Sequence, residues 1–135
     1  MIQQVLDRYP RKVKFVVKHY PLASHKYAQK AASAALAAHR QGKFWEFHGM
    51  LLKNYRALND EKIQDIAREL NLDMATFNGD MESPGVQMLI KRDLRNGREV
   101  GIRGIPAFFI NGKNLKKRTP EGFQEMIEAE LKKKR

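Results

Sequence analysis

Gly101-Ile102-Arg103-Gly104-Ile105-Pro106-Ala107-Phe108-Phe109-Ile110-Asn111-Gly112-Lys113 is unusually specified for thirteen residues. Gly101 and Gly104 bracket a short loop. Proline crowds the α region of the residue before it, so Ile105 is driven to extended backbone, and an X-Pro bond is the kind that adopts the cis form. Ala107 to Ile110 is a short apolar run with aromatic and branched residues on both faces, which predicts a strand buried on both sides. Asn111-Gly112 then supplies the two positive-φ positions of a type I′ turn. The stretch reads as loop, strand, turn, strand.

Residues 12–19 alternate, with Val13, Phe15 and Val17 on one face and Lys14, Val16 and Lys18 on the other, a strand pattern with one face better buried. Ahead of it, Ile2, Val5, Leu6 and Tyr9 fall at helical spacing, yet no Ser, Thr, Asp or Asn precedes them to cap the exposed amides. Ser24 is positioned to cap an alanine-rich helix from about 25 to 41, which Gly42 ends. Phe44, Phe47, His48, Leu51 and Tyr55 continue at helical spacing, with Trp45 and Leu52 beside them. Asn59 or Asp60 starts a helix with Ile63, Ile66, Ala67 and Leu70 inward, and Asp73 caps a short one carrying Met74, Phe77 and Met81. Ser83-Pro84 opens a helix to about Val100 that buries Val86, Leu89, Ile90 and Leu94; Thr119-Pro120 repeats the signal ahead of Phe123, Met126, Ile127 and Leu131.

The stretch from Gly101 to Gly112 resembles the cis-proline loop and following hairpin of DsbA-like thioredoxin-fold proteins, a family of thiol–disulfide oxidoreductases. Tyr9-Pro10 through Val13-Lys14-Phe15-Val16-Val17, then Tyr20-Pro21-Leu22 and His25, resemble the strand after that family's first helix. Gly42-Lys43-Phe44-Trp45-Glu46-Phe47-His48 resembles its helical insertion, and Leu70-Asn71-Leu72-Asp73 with Phe77 follows in order. The resemblance covers nearly all of the chain. It implies an α/β class, a thioredoxin-like fold with helical insertion, missing the first strand and the start of the first helix. The chain is then a single domain, 1–135, with the insertion at about 24–100 and the cis-proline loop plus hairpin at 101–118. In the family a strand and a Cys-x-x-Cys pair precede the point where this chain begins, so truncation is the expectation here.

That family's first strand lies between the strands corresponding to 12–19 and 107–110. Without it, either the two close directly onto one another or a second chain fills the gap, because unpaired apolar edges recruit strands. The expectation is a homodimer or strand-exchanged oligomer through the exposed sheet edge. The resemblance also implies a peptide-binding role for Arg103, Gly104, Ile105 and Pro106, whose backbone would dock an extended polypeptide; the alternative is that Pro106 only shapes a turn.

The sequence has no cysteine among its 135 residues, which excludes disulfides, thiolate nucleophiles and zinc sites built on thiolates within this polypeptide. No catalytic residue is therefore assigned and no cofactor expected. His19, His25, His39 and His48 include no pair at a metal-ligand spacing of three or four residues, so no metal site is expected, and packing or hydrogen bonding is the reading for His25 and His48. Glu61, Asp65 and Glu69 form a solvated helix face with Lys62 and Arg68. Gly101-x-x-Gly104 precedes a strand rather than a helix and is no phosphate loop.

Twenty-six Lys and Arg against fifteen Asp and Glu give a net charge of +11. Such a surface attracts nucleic acid, acidic proteins or anionic membrane, but no aromatic interleaving or nucleic-acid motif accompanies it, and solubility plus a solvated tail, Lys132 to Arg135, explains it as well. No apolar run approaches the roughly 20 residues that span a bilayer, so no transmembrane segment is expected. Met1 to Pro10 lacks the apolar core of a signal peptide, which as written predicts a cytoplasmic chain, although the family it resembles is often periplasmic or extracytoplasmic. Three functions stay open: a redox-inactive peptide/protein-binding or structural module; a fragment of a longer active thiol–disulfide oxidoreductase; and a basic nucleic-acid or anionic-surface binding module.

Overall fold

Four helices begin at side-chain caps that the sequence supplies, at Asn59, Asp73, Ser83 and Thr119. The computed structural model describes residues 1–133, so Lys134 and Arg135 of the basic tail lie outside the described residues. Backbone contacts divide the chain into two units: Met1–Val17 with the segment from Ile102 onward, and Lys18–Gly101, which contains the expected insertion.

In the second unit the regular elements among the described residues are all helices. It comprises α2 (Ala28–Arg40), α3 (Phe44–Lys53), a 3₁₀ turn (Tyr55–Ala57), α4 (Asp60–Glu69), α5 (Met74–Met81) and α6 (Pro84–Glu99). Helix α2 packs against all four of the others, because Ala34, Ala37 and Ala38 carry only a methyl group and are fully buried. Phe47 and Phe77 meet beside it, ring centroids 5.6 Å apart, with Ile63 and Ile66 completing the cluster. Each fully buried side chain of this size contributes about 1.5–3 kcal/mol. At its C-terminus, Gly42 at φ +76° lets its own N–H and that of Lys43 reach the carbonyls of His39 and Ala38, which would otherwise be left without partners. Asn59, Asp73 and Ser83 cap the next three helices, accepting the N–H of Lys62, Thr76 and Val86.

Two expectations fail in this unit. Ser24 caps nothing: residues 22–27 form turns, His25 N–H bonding to Leu22 C=O and Ala28 N–H to His25 C=O, and α2 starts only after Tyr27. Tyr55 leaves the buried stripe of α3 and is exposed, because Asn54 ends the helix with its backbone and side chain on the Met50 carbonyl and the following turn rotates Tyr55 outward.

The other unit holds α1 (Ile2–Arg8), the two-stranded hairpin β1 (Phe109–Ile110) and β2 (Lys113–Asn114), and α7 (Pro120–Lys133). Asn111 and Gly112 sit at φ +49° and +81°, the left-handed positions the turn requires, and the register pairs Phe109 with Asn114 and Ile110 with Lys113. Val5, Tyr9, Leu115, Phe123 and Ile127 form the core, with Val13, Phe108 and Ile110 packed against it. Thr119 accepts the N–H of Gly122 and starts α7. The Ile105–Pro106 bond is cis.

Two corrections apply here. The run 107–110 is not buried on both faces: Phe108 and Ile110 turn inward, while Ala107 and Phe109 are exposed. Residues 12–19 keep their alternation, Val13, Phe15 and Val17 being the better buried, yet they join no ladder among the described residues. Period-two burial reports only which side of an extended segment faces the core, and a strand also needs a neighbour.

Candidate functional site

Arg103, Gly104, Ile105 and Pro106 form a continuous exposed loop running into β1, with the Ile105 side chain half exposed. One contact fixes it from its own unit: Arg118 Nη1 donates to the Pro106 carbonyl at 2.7 Å. Beyond the loop, the ladder defines which main-chain groups are free to face outward. Leu115 N–H donates to Phe108 C=O at 2.8 Å, so Phe108 and Leu115 are a hydrogen-bonded pair. Pairs alternate in an antiparallel ladder, and the intervening Phe109–Asn114 pair is therefore the kind whose N–H and C=O groups point away from each other. Phe109, and Ala107 before it, present their main chain to the edge opposite β2.

That edge borders a groove of about 430 Å³ lined by residues 107–111, by residues 12–16, by the inward face of α1 and by Phe123, Ile127, Glu130 and Leu131 of α7. Among the described residues the main chains of Val13, Lys14, Val16 and Val17 make no hydrogen bond. At the hairpin end, Glu130 gathers three donors: Lys113 Nζ at 2.9 Å and Lys133 Nζ at 3.1 Å on one oxygen, and Asn111 Nδ2 at 3.2 Å on the other. Those bonds, from Lys113 first, hold its carboxyl at about 2, well below the ordinary carboxylate value. Glu130 is therefore a neutralised anchor that ties the hairpin to α7.

The histidines stand apart from this loop in sequence and belong to the helical unit. His48 stacks on Phe44 at 5.5 Å, and His19 and His39 meet the same ring edge-on at 6.1 Å. Burial pushes the imidazoles of His19 and His48 below the usual value. Asp93, which is buried, accepts the His19 main-chain N–H at 3.0 Å through Oδ2, while its Oδ1 has no hydrogen-bond partner among the described residues. Asp93 lies on the same helical stripe as Val86 and Ile90, and a lone carboxylate on an apolar stripe was the sequence signal for it. His25 joins the turn ahead of α2 through its main chain. Among the described residues no group of three or more His, Asp or Glu is placed to hold a metal ion. No described helix is long and apolar enough to cross a membrane.

Residues 2–129, almost the whole chain, match the thioredoxin family. The chain belongs to that family. Its fold is matched by a thioredoxin-like oxidoreductase from Silicibacter pomeroyi DSS-3, with a TM-score of 0.81 at 27% identity over 98% of this chain and 75% of that one. The thiol:disulfide interchange protein DsbA of Haemophilus influenzae is 27% identical over 115 residues, 82% of this chain and 55% of DsbA. A Na⁺/H⁺ antiporter NhaA of Herminiimonas arsenicoxydans is 35% identical over 104 residues, and NhaA 3 of Salinispora tropica is 36% identical over 102. The chain spans only 16% of the length of each antiporter. This thioredoxin-family chain thus has the DsbA-like oxidoreductase fold without a cysteine in its sequence.

Proposed function

We propose that the chain is a polypeptide-binding module on a thioredoxin scaffold, silent by itself in thiol–disulfide exchange, with Arg103, Gly104, Ile105 and Pro106 as its docking edge. The observation that carries this reading is the exposed loop Arg103–Ala107 leading into Phe109, where the hairpin ladder leaves the main chains of Ala107 and Phe109 facing outward, while Arg118 holds the Pro106 carbonyl. An added strand gains affinity from main-chain hydrogen bonds and specificity from alternate side chains. The same edge offers a competing use, self-association as a homodimer or strand-exchanged oligomer. Thiol–disulfide exchange needs a thiolate at the attacking position, and neither serine nor threonine replaces it at neutral pH.

Binding of a carboxymethylated, unfolded protein, followed by fluorescence anisotropy, tests the docking edge. Wild-type binding that falls about tenfold or more in Ile105→Asp supports it, since the half-exposed Ile105 side chain is the loop's apolar contact. Equal binding by the two proteins, or none by wild type at millimolar concentration, refutes it. Insulin-reduction turnover by this polypeptide would contradict redox silence.

A second reading is favoured by the likeness to DsbA and to the Silicibacter pomeroyi oxidoreductase: the scaffold serves a longer thiol–disulfide oxidoreductase whose cysteines lie outside these residues. Reading the gene upstream of Met1 for a strand followed by Cys-x-x-Cys decides it. The antiporter relatives match in a small part of their length, consistent with a module that is joined to different proteins.

A further inference from the structure

We propose that the outward ridge of α3 and the turn after it dock on an anionic lipid surface, Trp45, Leu52 and Tyr55 entering the headgroup region and Lys53 and Arg56 facing its phosphates. The inference is independent of the docking loop and lies wholly within the helical unit, Lys18–Gly101.

Helix α3 is apolar on both of its faces. A surface helix ordinarily carries polar residues opposite its buried stripe. Helix α4 does so: Ile63, Ile66 and Ala67 are buried, while Glu61, Asp65, Arg68 and Glu69 are exposed. In α3, Phe47 and Leu51 fill the core, yet Trp45 and Leu52 on the outer side are 52% and 61% exposed. Seven residues, about two turns, separate them, so they share one face roughly 10 Å apart. Tyr55, in the 3₁₀ turn that follows, is 62% exposed. Large apolar side chains gathered in water mark an interaction surface.

The composition of this face names its partner. Trp and Tyr, each with an apolar body and a polar tip, are the residues that settle at a membrane–water interface. Cations stand beside them. Lys53 follows Leu52, is exposed and forms no ion pair among the described residues. Arg56 Nε donates to the Tyr55 hydroxyl at 2.8 Å, with the guanidinium 5.4 Å from the ring centre. Glu46, the one carboxylate in the α3 sequence, is paired with Lys43 at 3.4 Å. Long basic side chains lay their stems along hydrocarbon and keep their charge at headgroup level. The net charge of +11 adds longer-range attraction to anionic lipid.

Shape weighs against a protein partner. These side chains stand on the outward, convex side of a helix, where a folded partner would need a matching groove, whereas fluid lipid takes the shape of what enters it. A second copy offers another convex ridge and the same charge of +11.

Trp45 is the only tryptophan of the 135 residues, so its emission reports on this face alone. The probe is unilamellar vesicles of phosphatidylglycerol and phosphatidylcholine in equal parts, titrated into the 135-residue chain. We expect a blue shift of Trp45 emission, quenching by lipid brominated near the headgroup end of its acyl chains, and neither effect with pure phosphatidylcholine. Leu52→Asp should lower the partition constant about tenfold, and Lys53→Gln/Arg56→Gln by about tenfold or more. All three positions are exposed, so both variants keep the wild-type far-UV circular dichroism spectrum. Sedimentation with anionic vesicles while Trp45 emission stays unchanged overturns the proposal, because another basic surface would then hold the lipid. Equal binding to pure phosphatidylcholine, wild-type partitioning of either variant, or no vesicle binding at low salt overturns it too. A blue shift that grows with protein concentration in the absence of lipid, with sedimentation as a dimer, would give the face to a second copy instead.

Discussion

Replacing Gly122 with alanine sets two effects of opposite sign against each other, and the structure decides between them. Gly122 is the third residue of α7, where alanine ordinarily gains about 1 kcal/mol over glycine through helix propensity. A Cβ built at this position, however, would lie 1.9 Å from the Lys117 carbonyl oxygen and 2.9 Å from its carbon. Real contacts of this kind stand beyond 3.0 Å, so either α7 or the 116–119 connection must move by more than an ångström. The obstructing group is backbone, and it cannot rotate away as a side chain would. Such overpacking costs about 1–3 kcal/mol, occasionally more, and a shift of this size belongs at the upper end. The expected net effect is a loss of about 2 kcal/mol, or roughly 7 °C in Tm at this chain length. Gly79→Ala is the control: it is helical, with nothing within 4 Å of the new methyl group, and should gain about 0.5–1 kcal/mol. Urea unfolding followed by far-UV circular dichroism measures both, and amide exchange across 120–131 localises the Gly122 effect. If Gly122→Ala lies within 0.5 kcal/mol of wild type, the close approach of α7 to Lys117 is wrong, and with it the seating of Phe123 and Ile127 under the groove.

Asn59→Ala removes the side chain that accepts the Lys62 N–H at 2.7 Å and should cost about 1 kcal/mol by chemical denaturation, whereas Asn59→Asp should cost little. Glu130 has a folded pKa of about 2, below its unfolded value, so its contribution is complete above pH 4.5 and lost as pH falls toward 2; the acid limb of stability should flatten in Glu130→Gln. His19 and His48 are held below their ordinary pKa by burial, so the folded state binds fewer protons than the unfolded one and stability should fall as pH drops through and below 6.5. Replacing His48 with Gln should shallow that slope, which pH-dependent urea midpoints will register.

How much of this was legible in the sequence depends on whether a feature is local. Caps at Asn59, Asp73 and Ser83, the glycine stop at Gly42 and the Asn111-Gly112 turn are each fixed by a residue and its next few neighbours, and all five are present. Ser24 failed because a capping residue needs a helix at the adjacent position, and the chain spends residues 22–27 on turns first. Alternation in 12–19 gave the inward face correctly but could not supply a pairing partner. Ala107 to Ile110 has the same apolar character on both faces, so composition alone hid the exposure of Phe109. Glu130 was missed because its donors Lys113 and Asn111 lie on the hairpin, 17 and 19 residues away. The loop Arg103 to Pro106 was legible as a loop; its relation to an open groove emerged only once α7 and the hairpin were folded together.

A net main-chain hydrogen bond is worth about 0.5–1.5 kcal/mol, so four of them, before the cost of association, supply roughly 4 kcal/mol, the free energy of millimolar binding. Micromolar binding requires about 8 kcal/mol. Pairing along an exposed edge therefore cannot by itself yield a stable complex, since it must also offset the ordering of an extended segment. The difference has to come from apolar side chains that leave water, at about 25 cal/mol per Å². Under the polypeptide-binding proposal the apolar contact at the loop is the half-exposed Ile105 side chain. Its burial by a partner is then what sets the affinity, and this is why Ile105→Asp is the deciding variant. Under the polypeptide-binding proposal, thiol chemistry contributes to neither term.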